Sequence, residues 1–219
     1  YNAYGIDIDP LSCLITKVKS TPVMEKDFSL VCDWILLNMD STTPEFIPKI
    51  DTLSHWFTTE AIEKLSKIRT LTERIPEEFS YLDNVLDIYD ALIIAFSGII
   101  RRVSNADNQS QKTYVSHTKV KKPVEVFSLY AKQLQMFKKA YKNFEEVWDG
   151  ESKTSVILSD GRADISEYIY KKINLIITSP PYIKSIDYVY NQMVELFWVG
   201  DLFEMETQQK QNKKRKKYT

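Results

Sequence analysis

Three short runs in this 219-residue chain have strand character, and a long helical stretch separates the first from the other two. Tyr4 to Ile8 (YGIDI) reads as a short buried strand, and Thr154 to Leu158 (TSVIL) as a second. Ile173 to Thr178 (INLIIT) reads as a third, apolar almost throughout. That is the pattern of a parallel strand covered on both faces. After the first run, Pro10 sits where a helix tolerates proline, and Leu11, Leu14, Ile15 and Val18 recur at helical spacing. A short helical connection is expected over Ile165 to Tyr170, and a helix over Asp187 to Trp198. Strand-helix, a helical body and strand-helix-strand together predict an α/β protein: a split, partial parallel sheet carrying a large all-helical insertion. The expected divisions are residues 1–40 for the first strand-helix part, 41–150 for the insertion, 151–207 for the second part and 208–219 for a basic tail.

Within the insertion the apolar periodicity is strong. Phe28 to Met39 suits a helix leading into it, and Ser41 to Pro48 is a proline-punctuated loop. Thr58-Thr59-Glu60 looks like a cap and first turn, with Ile62, Leu65, Ile68 and Leu71 continuing one face. Leu82 to Val103 is apolar nearly all round, as expected of a central helix. Asn105 to Ser110 reads as a polar loop, and Val124 to Trp148 as a third long helix.

Composition removes several chemistries. Glycine occurs five times, at Gly5, Gly98, Gly150, Gly161 and Gly200. No two lie within ten residues, so these residues hold no GxGxxG loop, no Walker A loop and no nucleophile elbow. Cys13 and Cys32 are too few for a disulfide framework or a zinc site, and His55 and His117 stand apart from any metal-ligand spacing. The longest nearly continuous apolar stretch, Ala91 to Ile100, is too short for a membrane span of roughly 20 residues. A soluble, cytoplasmic protein with no metal and no membrane partner is expected.

Ser179-Pro180-Pro181-Tyr182 is the sharpest local signal. Proline cannot continue a sheet ladder, so two prolines directly after an expected strand make a stiff, extended exit at the sheet's carboxyl edge. That edge is where open α/β sheets bind ligands. The Ser179 hydroxyl and the Pro180 carbonyl can both accept hydrogen bonds from one NH₂ group, and Tyr182 offers a ring face for stacking. On local physics alone, an ordinary Pro-Pro turn explains the run equally well.

Thr178 to Tyr182 (TSPPY) resembles the catalytic motif of the amino-methyltransferases of DNA, in which Asp, Asn or Ser precedes Pro-Pro and an aromatic residue. Tyr4 to Pro10 (YGIDIDP) is similar to that family's strand after the cofactor loop, where an acidic residue takes the ribose hydroxyls. Asp7 matches best and Asp9 second, although capping of the following helix is a plainer role for Asp7. Val156 to Asp160 resembles the segment whose acidic residue lies near the adenine, although Asp160 also suits a plain turn. Asp187-Tyr188 and Leu196 to Gly200 (LFWVG) look like the stretch after the catalytic motif in a branch with a helical insertion; His55 to Phe57 and Phe96 to Ser104 fit it more loosely. The resemblance implies a Rossmann-like methyltransferase sheet with S-adenosylmethionine as methyl donor. It also implies methylation of N4 of cytosine or N6 of adenine on a base extruded from the duplex. Ser179 leans slightly towards cytosine. The family's glycine-bearing loop belongs just before Tyr4 and is not among these residues, nor are the segments that follow the catalytic helix. The chain thus resembles the middle of such an enzyme. A partner chain or further segments would supply the loop, and weak cofactor binding is expected without it.

A DNA substrate needs a basic face. From Arg101 to Lys142 ten basic residues face only Asp107 and Glu125, a local +8 in a chain of net charge −1. Arg101, Arg102, Lys119, Lys121 and Lys122 are the expected backbone contacts; a solvated helix face is the plainer alternative. Two other functions remain open: a methyltransferase acting on RNA or a protein amide, and a non-catalytic remnant or subunit that binds DNA or a partner.

Overall fold

In a computed structural model the described residues are 2–107, 113–116, 118, 121–164, 166–169, 172–179 and 188–203. The first strand, β1 (Asn2–Asp7), pairs in parallel with β2 (Lys153–Leu158), in a register that sets Asn2 opposite Lys153 and Asp7 opposite Leu158. Parallel neighbours need a crossover. Here the crossover is the whole helical body. It comprises α1 (Pro10–Ser20), α2 (Glu25–Asn38), α3 (Leu53–Trp56), α4 (Thr59–Glu78), α5 (Val85–Val103) and α6 (Val126–Val147). After β2 come α7 (Tyr188–Asn191), α8 (Met193–Val199) and a 3₁₀ turn, Gly200–Phe203.

One face of the strand pair is covered by α1, which buries Leu11, Cys13 and Val18. The Cys13 thiol lies at the seam, 3.5 Å from the Asp7 carbonyl and 3.8 Å from that of Ile157. In the helical body, α5 is the central element. Ile88, Leu92, Ile93, Phe96, Ile99 and Ile100 are fully buried along it, as its all-round apolar sequence predicts. Thr58 caps α4 by accepting from the Ala61 amide, and Glu125 caps α6 by accepting from the Phe127 and Ser128 amides. Phe28 of α2 packs on Tyr141 and Phe137 of α6 at ring distances of 4.9 and 6.2 Å. At the other end of the chain, α8 is drawn into the same core. Trp198 is fully buried and meets Phe57 and Phe96 edge-on at 5.7 and 6.0 Å. Arg69, also buried, donates from Nε to the Trp198 carbonyl at 3.2 Å and pairs with Asp201 at 2.9 Å. One contiguous apolar cluster therefore runs from α1 through the helical body to α8.

Three expectations are corrected. The expected strand at 173–178 is not formed: residues 172–179 have no regular structure, and Leu175, Ile176 and Ile177 are 74, 80 and 88% exposed. An apolar run becomes a strand only when a neighbour takes its ladder and a layer takes its side chains, and among the described residues the sheet stops at two strands. The single helix expected to end at Trp198 is two helices, broken at Gln192. The connection expected as helix over 165–170 is turn over 166–168, with residues 165 and 170 outside the described residues. An α/β arrangement with a small parallel sheet and a dominant helical body stands. No described helix is long and apolar enough to cross a membrane.

Candidate functional site

The parallel pairing brings the carboxyl ends of β1 and β2 together, with the Ser159 amide donating to the Asp7 carbonyl at 2.9 Å. Asp7, the last residue of β1, and Asp160, two residues beyond β2, therefore share one edge. Their side chains differ in what they already hold. Asp7 is exposed, and its Oδ1 accepts only the Asp9 amide, at 2.9 Å, among the hydrogen bonds seen. Asp160 turns onto Arg162: Oδ1 accepts from the Arg162 amide at 3.0 Å, and the guanidinium grips both oxygens. The guanidinium first, and the amide second, hold its carboxyl at about 2.

Asp9 is the N-cap of α1. Its Oδ1 accepts from the Leu11 amide at 3.1 Å. Its Oδ2 takes the Ser12 hydroxyl at 2.6 Å and the Gln192 side-chain amide at 2.8 Å. The carboxylate is thus committed to the turn, whereas Asp7 is exposed at the strand end. The sequence carried the signal for this: Pro10 at the first helical position makes the residue before it the cap.

Gln192, which the sequence did not single out, also meets this edge through Asp9. It occupies the break between α7 and α8, and helical periodicity runs through it without interruption. The carbonyl beside it, that of Asn191, is held from the insertion: Arg101 Nη1 donates to it at 3.3 Å and the Thr113 hydroxyl at 3.1 Å. Three parts of the chain meet here, namely the β1 edge, the carboxyl end of α5 and the start of α8. Half-buried Glu195 lies one turn further along α8. Burial pushes its carboxyl up, opposed by the nearby Arg101 charge.

The expected basic contacts separate into two groups. Arg101 and Lys121 face inward. Arg101 also donates from Nε to the Asp107 carbonyl at 3.2 Å, and the Lys121 ammonium donates to the carbonyls of Arg101 and Ala106 at 2.6 and 3.0 Å. Burial, reinforced by the Arg101 charge, lowers the Lys121 pKa to about 8. Arg102 and Lys122 are exposed, as are Lys139 and Lys142 along α6. Lys119 lies outside the described residues. Ser179 is exposed at the end of the irregular 172–179 run, and Pro180, Pro181 and Tyr182 lie outside the described residues. Among the described residues no group of three or more His, Cys, Asp or Glu side chains is placed to hold a metal ion.

Over 198 aligned residues the chain is 25% identical to the Type II methyltransferase M.MvaI of Kocuria varians. It is similar to a methyltransferase. The alignment takes in 82% of this chain and 41% of the relative, so the chain spans about two fifths of that protein's length. No protein-family model matches the chain, and no solved structure matches it. The distant likeness, like the motif resemblance, is to a methyltransferase.

Proposed function

We propose that this chain carries the base-orienting part and one cofactor edge of a DNA amino-methyltransferase, in a restriction-modification or stand-alone modification system. The reaction is methylation of an exocyclic base amine, N4 of cytosine or N6 of adenine. One observation carries the reading: the structure sets an exposed carboxylate, Asp7, at the carboxyl edge of a parallel strand pair, and ties that edge through Asp9 and Gln192 to the helices that follow the Pro-Pro motif. A ligand with two adjacent hydroxyls fits such a carboxylate, since two oxygens can accept two donors. S-adenosylmethionine fits on that ground, with Asp7 on its ribose and Asp160 towards its adenine; when bound it supplies an activated methyl group on sulfur.

The chain's own residues do the rest by positioning. The Ser179 hydroxyl and the Pro180 carbonyl would accept hydrogen bonds from the two N–H groups of the target amine, and Pro181 would limit backbone freedom beside them. This leaves the nitrogen lone pair free to take the methyl group in line; the sulfur–methyl bond would break as the N–C bond forms, the sulfur would leave as a neutral thioether, and the nitrogen would release one proton to solvent. Tyr182 stacks on the extruded base. Arg102, Lys119 and Lys122 would contact the phosphate backbone, while Lys121 holds the carboxyl end of α5 through the Arg101 carbonyl. In the protein expressed from its own gene with the flanking reading frame, Ser179→Ala or Tyr182→Ala is expected to lower methyl transfer at least about 100-fold while cofactor binding persists. Full activity in either variant removes the proposed role. A second reading, a chain that binds DNA or a partner without turnover, is favoured by the exposed, irregular path of 172–179. DNA binding by a wild-type protein that transfers no methyl group would support it.

A further inference from the structure

The break at Asn191-Gln192 is held from both sides by groups that belong to different parts of the fold. Arg101 and Thr113 of the insertion fix the Asn191 carbonyl, and Asp9 of the β1–α1 turn fixes the Gln192 side chain. The turn then passes this constraint on. Asp9 accepts from Gln192 through its side chain and donates from its backbone amide to Oδ1 of Asp7. A continuous chain of three residues therefore links the helices after the Pro-Pro motif to the exposed carboxylate of the edge. We infer that Gln192 is a positioning residue: it holds the Asp7–Asp9 turn in register with the helices that follow the Pro-Pro motif, so that affinity for a diol-bearing cofactor at Asp7 depends on a residue that need not touch the cofactor. This rests on the methyltransferase reading given above.

The chemistry of the pair makes it testable. Gln192→Leu removes the donor to a carboxylate, a charge-assisted hydrogen bond, and frees the turn. Gln192→Glu sets two carboxylates against each other. Asp9→Asn with Gln192→Glu reverses the polarity of the pair and keeps a residue that caps helices as well as aspartate does. The measurement is steady-state methyl transfer and S-adenosylmethionine titration calorimetry on the protein expressed from its own gene with its flanking reading frame, with DNA affinity and thermal unfolding alongside. Gln192→Leu is expected to raise KM and Kd for S-adenosylmethionine roughly tenfold, with DNA affinity unchanged. Gln192→Glu is expected to be worse, and the double variant to recover most of the loss.

A purely structural role gives a different pattern, in which the melting temperature and both affinities fall together. If Gln192→Leu does not fold, the double variant against Gln192→Glu decides: recovery of cofactor affinity supports the coupling, and no recovery overturns it. Unchanged cofactor KM in Gln192→Leu, with an active wild type, overturns this inference alone. A wild-type protein that neither binds S-adenosylmethionine nor transfers methyl groups overturns the functional reading beneath it.

Discussion

Glu125 shows how one carboxylate can serve two elements at once. It caps α6 through the Phe127 and Ser128 amides and also accepts the Lys64 ammonium of α4 at 2.7 Å. Partial burial pushes its pKa up, but the Lys64 and Ser128 bonds outweigh that and hold it at about 2, below the ordinary 4.5. A carboxyl whose folded pKa lies below its unfolded value contributes stability that is full above pH 4.5 and lost as pH falls towards 2. Glu125→Ala is therefore expected to cost about 1 kcal/mol near pH 7. In urea unfolding, the gap between wild type and variant should narrow steadily below pH 4.5; a gap independent of pH contradicts the cap. The acidic residues of the β1 edge teach a related lesson. Asp7 and Asp9 are two residues apart and chemically alike, and a motif match ranks both as ribose ligands. The structure distinguishes them because three donors converge on Asp9, whereas Asp7 receives the Asp9 amide at one oxygen.

At the scale of elements, α8 shows most clearly what the sequence could and could not reveal. The sequence marked a helix there, over Asp187 to Trp198, and the helices α1, α2, α4, α5 and α6 were equally legible. Each carries a local period, and α1 and α4 also carry cap signals, Pro10 and Thr58, that depend on nothing distant. What the period could not show is the partner. Trp198 packs among Phe57 and Phe96 and receives Arg69 on its carbonyl, contacts that span most of the chain. The break at Gln192 and the absence of a strand at 173–178 have the same origin. Both depend on long-range neighbours, namely the Asp9 carboxylate in the first case and a third strand position in the second. Of the candidate site, the edge acids were legible because they sit at or just beyond strand ends. Gln192 was not, because nothing local sets it apart. Trp198→Ala empties a fully buried aromatic position and is expected to cost about 3–5 kcal/mol in denaturant unfolding. A loss under about 1 kcal/mol contradicts the packing of α8 into the helical body.

Over the whole molecule, charge is distributed unevenly. A net charge of −1 conceals a stretch with ten basic and two acidic residues, and some of those basic groups are used internally. Lys121 caps the carboxyl end of α5, and Lys138 pairs with Asp33 at 2.7 Å. Arg102 and Lys122 remain exposed near the end of α5. Reversing both, Arg102→Glu with Lys122→Glu, is expected to weaken DNA binding. The slope of log affinity against log salt should fall by about one unit for each phosphate that is no longer neutralised. An unchanged slope places the DNA footprint elsewhere. The gene expressed with its flanking sequence, in a host stripped of its own DNA methylation, allows the most direct test. Host DNA is digested to nucleosides and analysed by mass spectrometry. The proposed function predicts N4-methylcytosine or N6-methyladenine, abolished by Tyr182→Ala. It is contradicted if no methylated amine is found, or if the methylated amine persists unchanged in that variant.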